Sequence, residues 1–330
     1  FFIRIHHELP TAMLAEFSTL KILQASNFRE FRTTFRAKPG RNFCVPANTF
    51  DNVTGKFPIG FFIWHTDDTS LIQETKSDFY QADGTFLWQK TLTTYDDQPL
   101  IIKWLQRYYD KENTPIGYQM TKGTDIQNNN GIYISNWVRP NDIKKHMFTP
   151  ITARNLIPMC IYTAIRHCIE ADWYNDRDQY LSPNEGWLTD VEFQTDCLIY
   201  ATLCGFNNVT TEHGTNHWIH FTEEEVDAQE KFESHFMSDF IHGRIKKPKR
   251  TEEEQVAYEQ DGKNYHEADA FAEQTNSTIN NGDTPISFSQ EAQAVMDAGR
   301  ELWRYYHQQP IAKERPNASF YDIRFYFQGT

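Results

Sequence analysis

No stretch of this 330-residue chain reaches the roughly 18 apolar residues that a membrane-spanning helix requires; the longest purely apolar runs are a few residues. Cysteine is scarce. Cys44, Cys160, Cys168, Cys197 and Cys204 are an odd number, widely spread, with no Cys-x-x-Cys pair, which argues against a zinc ribbon and against a disulfide framework. The last four sit in apolar segments, so buried reduced thiols in a cytoplasmic protein are the expectation. There is no His-Glu-x-x-His, no glycine-rich phosphate loop, no zinc-finger spacing and no recognisable Ser/His/Asp frame. The opening Phe1-Phe2-Ile3-Arg4-Ile5 carries neither a Met nor the basic region and apolar block of a signal peptide. It reads as though it began in mid-strand, so a fragment is expected.

What is present builds a core: 39% of residues are hydrophobic and 15% aromatic, too many for global disorder. The net charge of −13 argues against a uniformly basic nucleic-acid-binding domain. Its distribution says more. Residues 1–60 carry eight Lys/Arg against four Asp/Glu, and the remaining 270 carry 24 against 41. Any contact with a polyanion belongs in the first sixty residues.

Along the chain, Ala12–Leu20 reads as a strand. Asn27, with Glu30 three residues on, has the form of a capping box for a helix that Pro39-Gly40 ends. Phe28, Phe31 and Phe35 make one apolar stripe on it, and Arg29, Arg32 and Arg36 a second, about 100° round the wheel. Phe43–Ala47 and Ile59–His65 read as strands around a polar loop. Asp83-Gly84, between Asp78–Tyr80 and Thr85–Trp88, signals a hairpin. Ile101–Tyr109 predicts a short helix. From about residue 150 the pattern turns helical, with helices over Asn155–Ile169 and Asp190–Cys204. A third is capped by Thr222 and has Val226, Phe232, Phe236 and Phe240 on its inner face; a last is capped by Ser287 with Gln290. Lys246–Asp283, rich in charge, Gln and Asn, reads as a surface loop or linker. The expected division is 1–110 and 111–330.

Two other clusters have bland readings. His213, His217 and His220 stand at helical spacing beside Glu212, but Gly214-Thr215-Asn216 breaks a helix, so turn and strand-edge histidines are favoured over a metal site. Glu170, Asp172, Asp176 and Asp178 lack the nearby Glu-x-Lys partner that a Mg²⁺-dependent nuclease would use. They read as helix-terminal caps, with Arg177 paired to one of them.

One run goes further. Leu14–Trp64 resembles the segment that follows the Asn-Pro-Pro-Tyr loop in N6-adenine DNA methyltransferases, and more narrowly that of large bacterial restriction–modification methylases. In that family a strand leads into a helix with a Phe-x-x-x-Phe/Arg pattern. A strand ending in Pro-Ala-x-x-Phe follows, then a loop and an antiparallel last strand. Leu14–Leu20, Asn27–Phe35, Val45–Phe50 and Ile59–Trp64 match those parts. Asn155–Tyr162, Asn175–Gln179 and Ala298–Trp303 resemble later blocks of the same group. The Phe-x-Gly-x-Gly and Asn-Pro-Pro-Tyr loops themselves do not occur in this sequence.

The resemblance implies the closing half of an S-adenosylmethionine-dependent, Rossmann-like α/β methyltransferase sheet, followed by a mixed, mainly helical region. It implies double-stranded DNA as partner, S-adenosylmethionine bound mainly by an N-terminal part, and no catalytic residue in this chain. Extruding adenine from the duplex would place Phe17, Ser18 and Thr19 beside the target base, with Phe17 otherwise a core residue. Arg29, Arg32, Arg36, Lys38 and Arg41 are the phosphate candidates, the helix arginines otherwise forming a solvated face. Two rivals stay open: an acidic, non-catalytic interaction or scaffold protein, and the nuclease half of a fused restriction enzyme.

Overall fold

Alternation of buried and half-buried residues along Pro58–His65 makes that strand the spine of a mixed sheet. A computed structural model describes residues 1–67, 70–97, 99–110, 112–121, 123–144, 147–245 and 285–328, so the expected linker at 246–283 lies outside the described residues. The strands are β1 (Met13–Thr19), β2 (Lys38–Pro39), β3 (Phe43–Pro46), β4 (Pro58–His65), β5 (Glu74–Tyr80), β6 (Phe86–Thr93), β7 (Gly117–Met120), β8 (Ile134–Ser135) and β9 (Phe148–Ile151). The helices are α1 (Phe2–Glu8), α2 (Lys21–Gln24), α3 (Arg29–Thr34), α4 (Ile101–Gln106), α5 (Pro140–Lys144), α6 (Leu156–His167), α7 (Val191–Leu203), α8 (Phe236–Ile241), α9 (Gln290–His307), α10 (Ile311–Glu314) and α11 (Phe320–Gln328). None is long and apolar enough to cross a membrane.

The chain forms two compact units. The first comprises Phe1–Ile101, Gly123–Asn129 and Cys168–Ser182, and the second the remaining segments. The sheet part thus ends near the expected division, but two later stretches join it.

In the first unit the sheet order is β1-β4-β3-β5-β6, with β2 also on β4. β4 runs antiparallel to both β1 and β3, so β1 and β3 point the same way, and β5 is parallel to β3. The outer edge of β1 makes no backbone hydrogen bond among the described residues. One face of the sheet is closed. Cys44, Phe62, Trp64, Phe79 and Leu92 pack under Leu20, Ile22, Leu23, Phe35 and Trp173. Burial of each large side chain contributes about 1.5–3 kcal/mol. Gly60 makes this possible, since a Cβ there would stand 2.4 Å from the Phe62 ring.

Phe28, Phe31 and Phe35 face this core as their spacing predicts, and Phe31 stacks on Phe35 at 5.2 Å. Their helix differs from expectation. Ser26–Phe28 is a 3-10 turn and α3 starts only at Arg29, so Asn27 lies inside the turn and caps nothing. The N-terminus is likewise helix α1 rather than strand, because Phe2 and Ile3 pack as one face onto the same core.

The second unit holds a small sheet, β8-β7-β9, that short strands kept out of the sequence reading. Helices α6 and α7 match the expected pair, with Asp190 accepting from the Phe193 amide as the α7 cap. Two buried polar side chains of α6 are answered internally. Arg166 donates to the Tyr162 hydroxyl at 2.7 Å and Thr163 to Gln119 at 2.5 Å. The expected third helix is broken. Glu224–Val226 is a 3-10 turn stopped by Asp227 in the left-handed region (φ 55°), and α8 begins ten residues later, although Val226, Phe232 and Phe240 are all buried. Ser289, not Ser287, caps α9 by accepting from Ala292. None of the five cysteines is in a disulfide, and Cys168 is exposed rather than buried, standing just past the end of α6.

Candidate functional site

The face of the larger sheet opposite its packed core carries a continuous row of rings. β1 and β4 bring Phe17 opposite Phe61, and β3 brings Phe43 opposite Phe61 from the other side. The centroid distances run Phe50–Phe17 5.3 Å, Phe17–Phe61 4.9 Å, Phe61–Phe43 5.4 Å, Phe43–Tyr80 6.1 Å and Tyr80–Phe86 5.5 Å. Six aromatic residues therefore span five strands or their flanking loops at pairing distances. Phe17 and Phe86 are each 54% exposed, and Met13, one strand repeat from Ala15, is exposed too. Beyond Tyr80 the face turns polar, where Gln89 donates to Asp78 at 2.9 Å.

Of the three base-pocket candidates, Phe17 and Thr19 share this face. Ser18 does not. Successive strand residues point to opposite faces, and Ser18 stands opposite Gly60 on the packed side. It has Glu16 as its neighbour on that side, whose carboxyl burial raises in pKa, partly offset by the Trp64 indole at 3.4 Å. Phe17 is not a core residue.

The five phosphate candidates do not form one stripe. Arg32 is 1% exposed. Its guanidinium donates to both carboxylate oxygens of Asp96, at 2.7 and 2.5 Å, and to the carbonyls of Ile22 and Ala25. All its groups are spoken for inside the unit, which removes it from any phosphate contact. Arg29, Arg36, Lys38 and Arg41 are exposed. Lys38 pairs with His65 at the level of Met13, about 20 Å along β1 from Thr19 at roughly 3.3 Å per residue. Arg41 sits in the irregular stretch between β2 and β3, after Gly40 has donated to the Ile63 carbonyl, and is nearer the row in register.

The acidic cluster keeps the expected pairing of Arg177 with one of its aspartates, but it lies in turns and not at helix ends. Lys90 of β6 reaches Asp178 at 2.5 Å, and Gln24 donates to the same carboxylate at 2.8 Å. The missing basic partner therefore comes from 88 residues away. Arg177 lies 3.7 Å from Asp176 and 3.9 Å from Asp125. Asp176 is 4% exposed, and burial raises its pKa to about 7 despite Arg177. These contacts tie the 168–182 segment to the β5–β6 hairpin within one unit.

His213, His217 and His220 are not brought together. His213 packs on Trp137, His217 meets the Ser234 hydroxyl at 2.8 Å, and His220 meets the Thr202 hydroxyl at 2.6 Å. No group of three His, Cys, Asp or Glu among the described residues converges as a metal site.

Phe43, Phe50, Phe61, Tyr80 and Phe86 escaped the sequence reading as site residues. The period-2 spacing of Ile59, Phe61 and Ile63 was their only local signal, and strand pairing supplied the rest. Comparisons with known protein families, curated proteins and solved structures find no match.

Proposed function

We propose that the first unit is the closing half of an adenine-specific DNA methyltransferase sheet, and that the gene product containing it modifies adenine N6 in a restriction–modification system. The observation that carries this reading is the placement of β4. It follows the Pro-Ala-x-x-Phe strand through a loop and runs antiparallel to its neighbours β1 and β3, the sense that the resemblance implies, although β5 and β6 extend the sheet after it. The Phe helix packs on the same sheet, as that pattern also requires.

In this reading the target adenine leaves the duplex, because its amino group is paired inside it. Phe17, exposed at the Thr19 end of β1, offers the ring a stacking face, a contribution of about 1–3 kcal/mol. Thr19 shares that face. Arg29, Arg36, Lys38 and Arg41 neutralise phosphates, while Arg32 holds α3 to the sheet unit from inside. Nothing in this chain supplies the glycine-rich cradle for S-adenosylmethionine, so methyl-donor binding falls to other residues of the gene product.

The test has two arms. The purified chain with labelled S-adenosylmethionine and mixed-sequence DNA is expected to show no incorporation. The complete reading frame, expressed in a host lacking adenine methylases, is expected to yield N6-methyladenine on mass spectrometry of digested DNA, with Phe17→Ala reducing the yield. Absence of N6-methyladenine from the complete product sinks the proposal.

The half-exposed aromatic face also suits the rival reading of an interaction protein. In that case Phe17→Ser with Phe86→Ser abolishes partner retention, and no methyladenine appears in any arm.

A further inference from the structure

Edge strands are ordinarily blunted by shortness, proline, lysine or a bulge, because their unpaired backbone groups are a template for another strand. β1 has none of these devices. It is seven residues long, with no proline, no lysine and an unbroken register against β4. The opposite edge strand, β6, has both a lysine and a register shift.

Two hydrogen bonds fix which backbone groups of β1 point outward. Thr66 donates to the Ala12 carbonyl at 3.1 Å. Hydrogen-bonded positions alternate along an antiparallel pair, so Leu14, Glu16 and Ser18 also direct their backbone groups at β4. On β4, Ile63 stands opposite Ala15 but gives its carbonyl to Gly40, on the far side, at 2.6 Å. Met13, Ala15 and Phe17 therefore direct their N–H and C=O groups away from β4, and these have no partner among the described residues. The side chains of the same residues lie on the ring-bearing face, where Met13 is 66% exposed and Phe17 54%.

We propose that β1 pairs antiparallel with β1 of a second copy of this chain, about a two-fold axis at Ala15. Ala15 then stands opposite the partner's Ala15, and Met13 opposite the partner's Phe17, so each outward N–H meets an outward carbonyl. A two-fold contact must be self-complementary. Here the two large exposed side chains, each two residues from the centre, become cross-strand partners, a thioether against a ring. Charge selects the register. Glu16 is the strand's one charged residue, and an axis at Glu16 would set two carboxylates directly opposite, which destabilises a pair. With the axis at Ala15, Glu16 faces the partner's Leu14. An axis at Phe17 would leave Met13 with no strand residue opposite. The Phe17 ring stays on the sheet face, so this pairing goes beyond the methyltransferase reading and does not depend on it.

Sedimentation velocity of the full chain over a concentration series up to about 0.1 mM tests the assignment. The mass is expected to rise from 38.9 kDa toward twice that value. Ala15→Pro removes an outward N–H and leaves the β1–β4 ladder intact. It is expected to weaken association by about tenfold or more, since each copy loses a hydrogen bond. Met13→Glu and Phe17→Lys, at exposed positions, should each weaken it by about tenfold. Combined, they should recover at least about threefold, because each new charge faces its opposite across the axis. Within one chain the two positions are about 13 Å apart, too far to pair. Circular dichroism confirms the fold of each variant. A mass constant at 38.9 kDa, a folded Ala15→Pro that associates like the parent, or two charge effects that simply add overturns the proposal.

Discussion

Trp303 and Phe17 both have aromatic neighbours, yet the first is 1% exposed and the second 54%. Trp303, on α9 of the helical unit, has Phe221 at 5.6 Å and Phe320 at 6.3 Å. The segments after it, α10 and α11, fold back so that Ala312, Ala318 and Ile323 are buried too. Phe17 has three ring neighbours, all within its own sheet layer or the loop beside it. The helical unit closes its core with its own residues. The sheet unit closes one face and leaves aromatic rings on the other, which is where a large partner surface or an unstacked base gains most.

The sharpest way to break that comparison is to truncate one residue on each face of the sheet. Phe62→Ala, on the packed face, is expected to cost about 3–5 kcal/mol in urea denaturation. Phe17→Ala, on the open face, should cost about 1 kcal/mol. Equal losses would show that the open face is packed in solution.

Both faces were partly legible. β1, β3, β4, the β5–β6 hairpin and the α6–α7 pair follow from alternation, turn residues and helical periodicity. The orientation of the Phe stripe followed too. The row of six rings was not, since its members belong to different strands and only pairing register aligns them. Arg32 misled for a related reason. Its i, i+3 spacing with Arg29 put it on a charged stripe, while the partner that draws it inward, Asp96, lies 64 residues away. The break at Asp227 was invisible because a left-handed Asp has no strong local signature.

Arg32 sharpens the comparison from the charge side. Arg32→Gln leaves Asp96 without its bidentate partner and is expected to destabilise the chain by about 3 kcal/mol. Arg29→Gln and Arg36→Gln, at exposed positions, should change stability by less than about 0.5 kcal/mol.

A pH series separates a buried strain from either face. The folded pKa of Asp176, about 7, lies above its ordinary value of 3.8. The folded state therefore holds the proton more tightly, and stability drains away as pH rises from about 4 to 7. Asp176→Asn should match the parent near pH 4 and be more stable at pH 8 by about 1–3 kcal/mol, the ceiling being 1.36 kcal/mol per pH unit. A variant equally stable relative to the parent at both pH values removes the case for a buried acid there.

The smallest effect concerns DNA. If the open sheet unit meets duplex DNA, log affinity should fall with log salt by roughly 0.9 per phosphate contact. Replacing Arg36, Lys38 and Arg41 with Gln should flatten that slope by about two to three. Arg32→Gln, judged on the folded fraction, should leave it unchanged.

The outer edge of β1 has a consequence for handling the protein. Seven residues of extended backbone, with Met13 and Phe17 bare beside them, form a template onto which another extended chain can dock, the geometry from which ordered aggregates grow. Glu16, in the middle of that strand, is its only charged residue. As acid neutralises Glu16, whose pKa already lies above the ordinary range, the edge loses its one electrostatic guard. Turbidity on acidification, suppressed by a lysine at Ala15, would mark this strand as the seed.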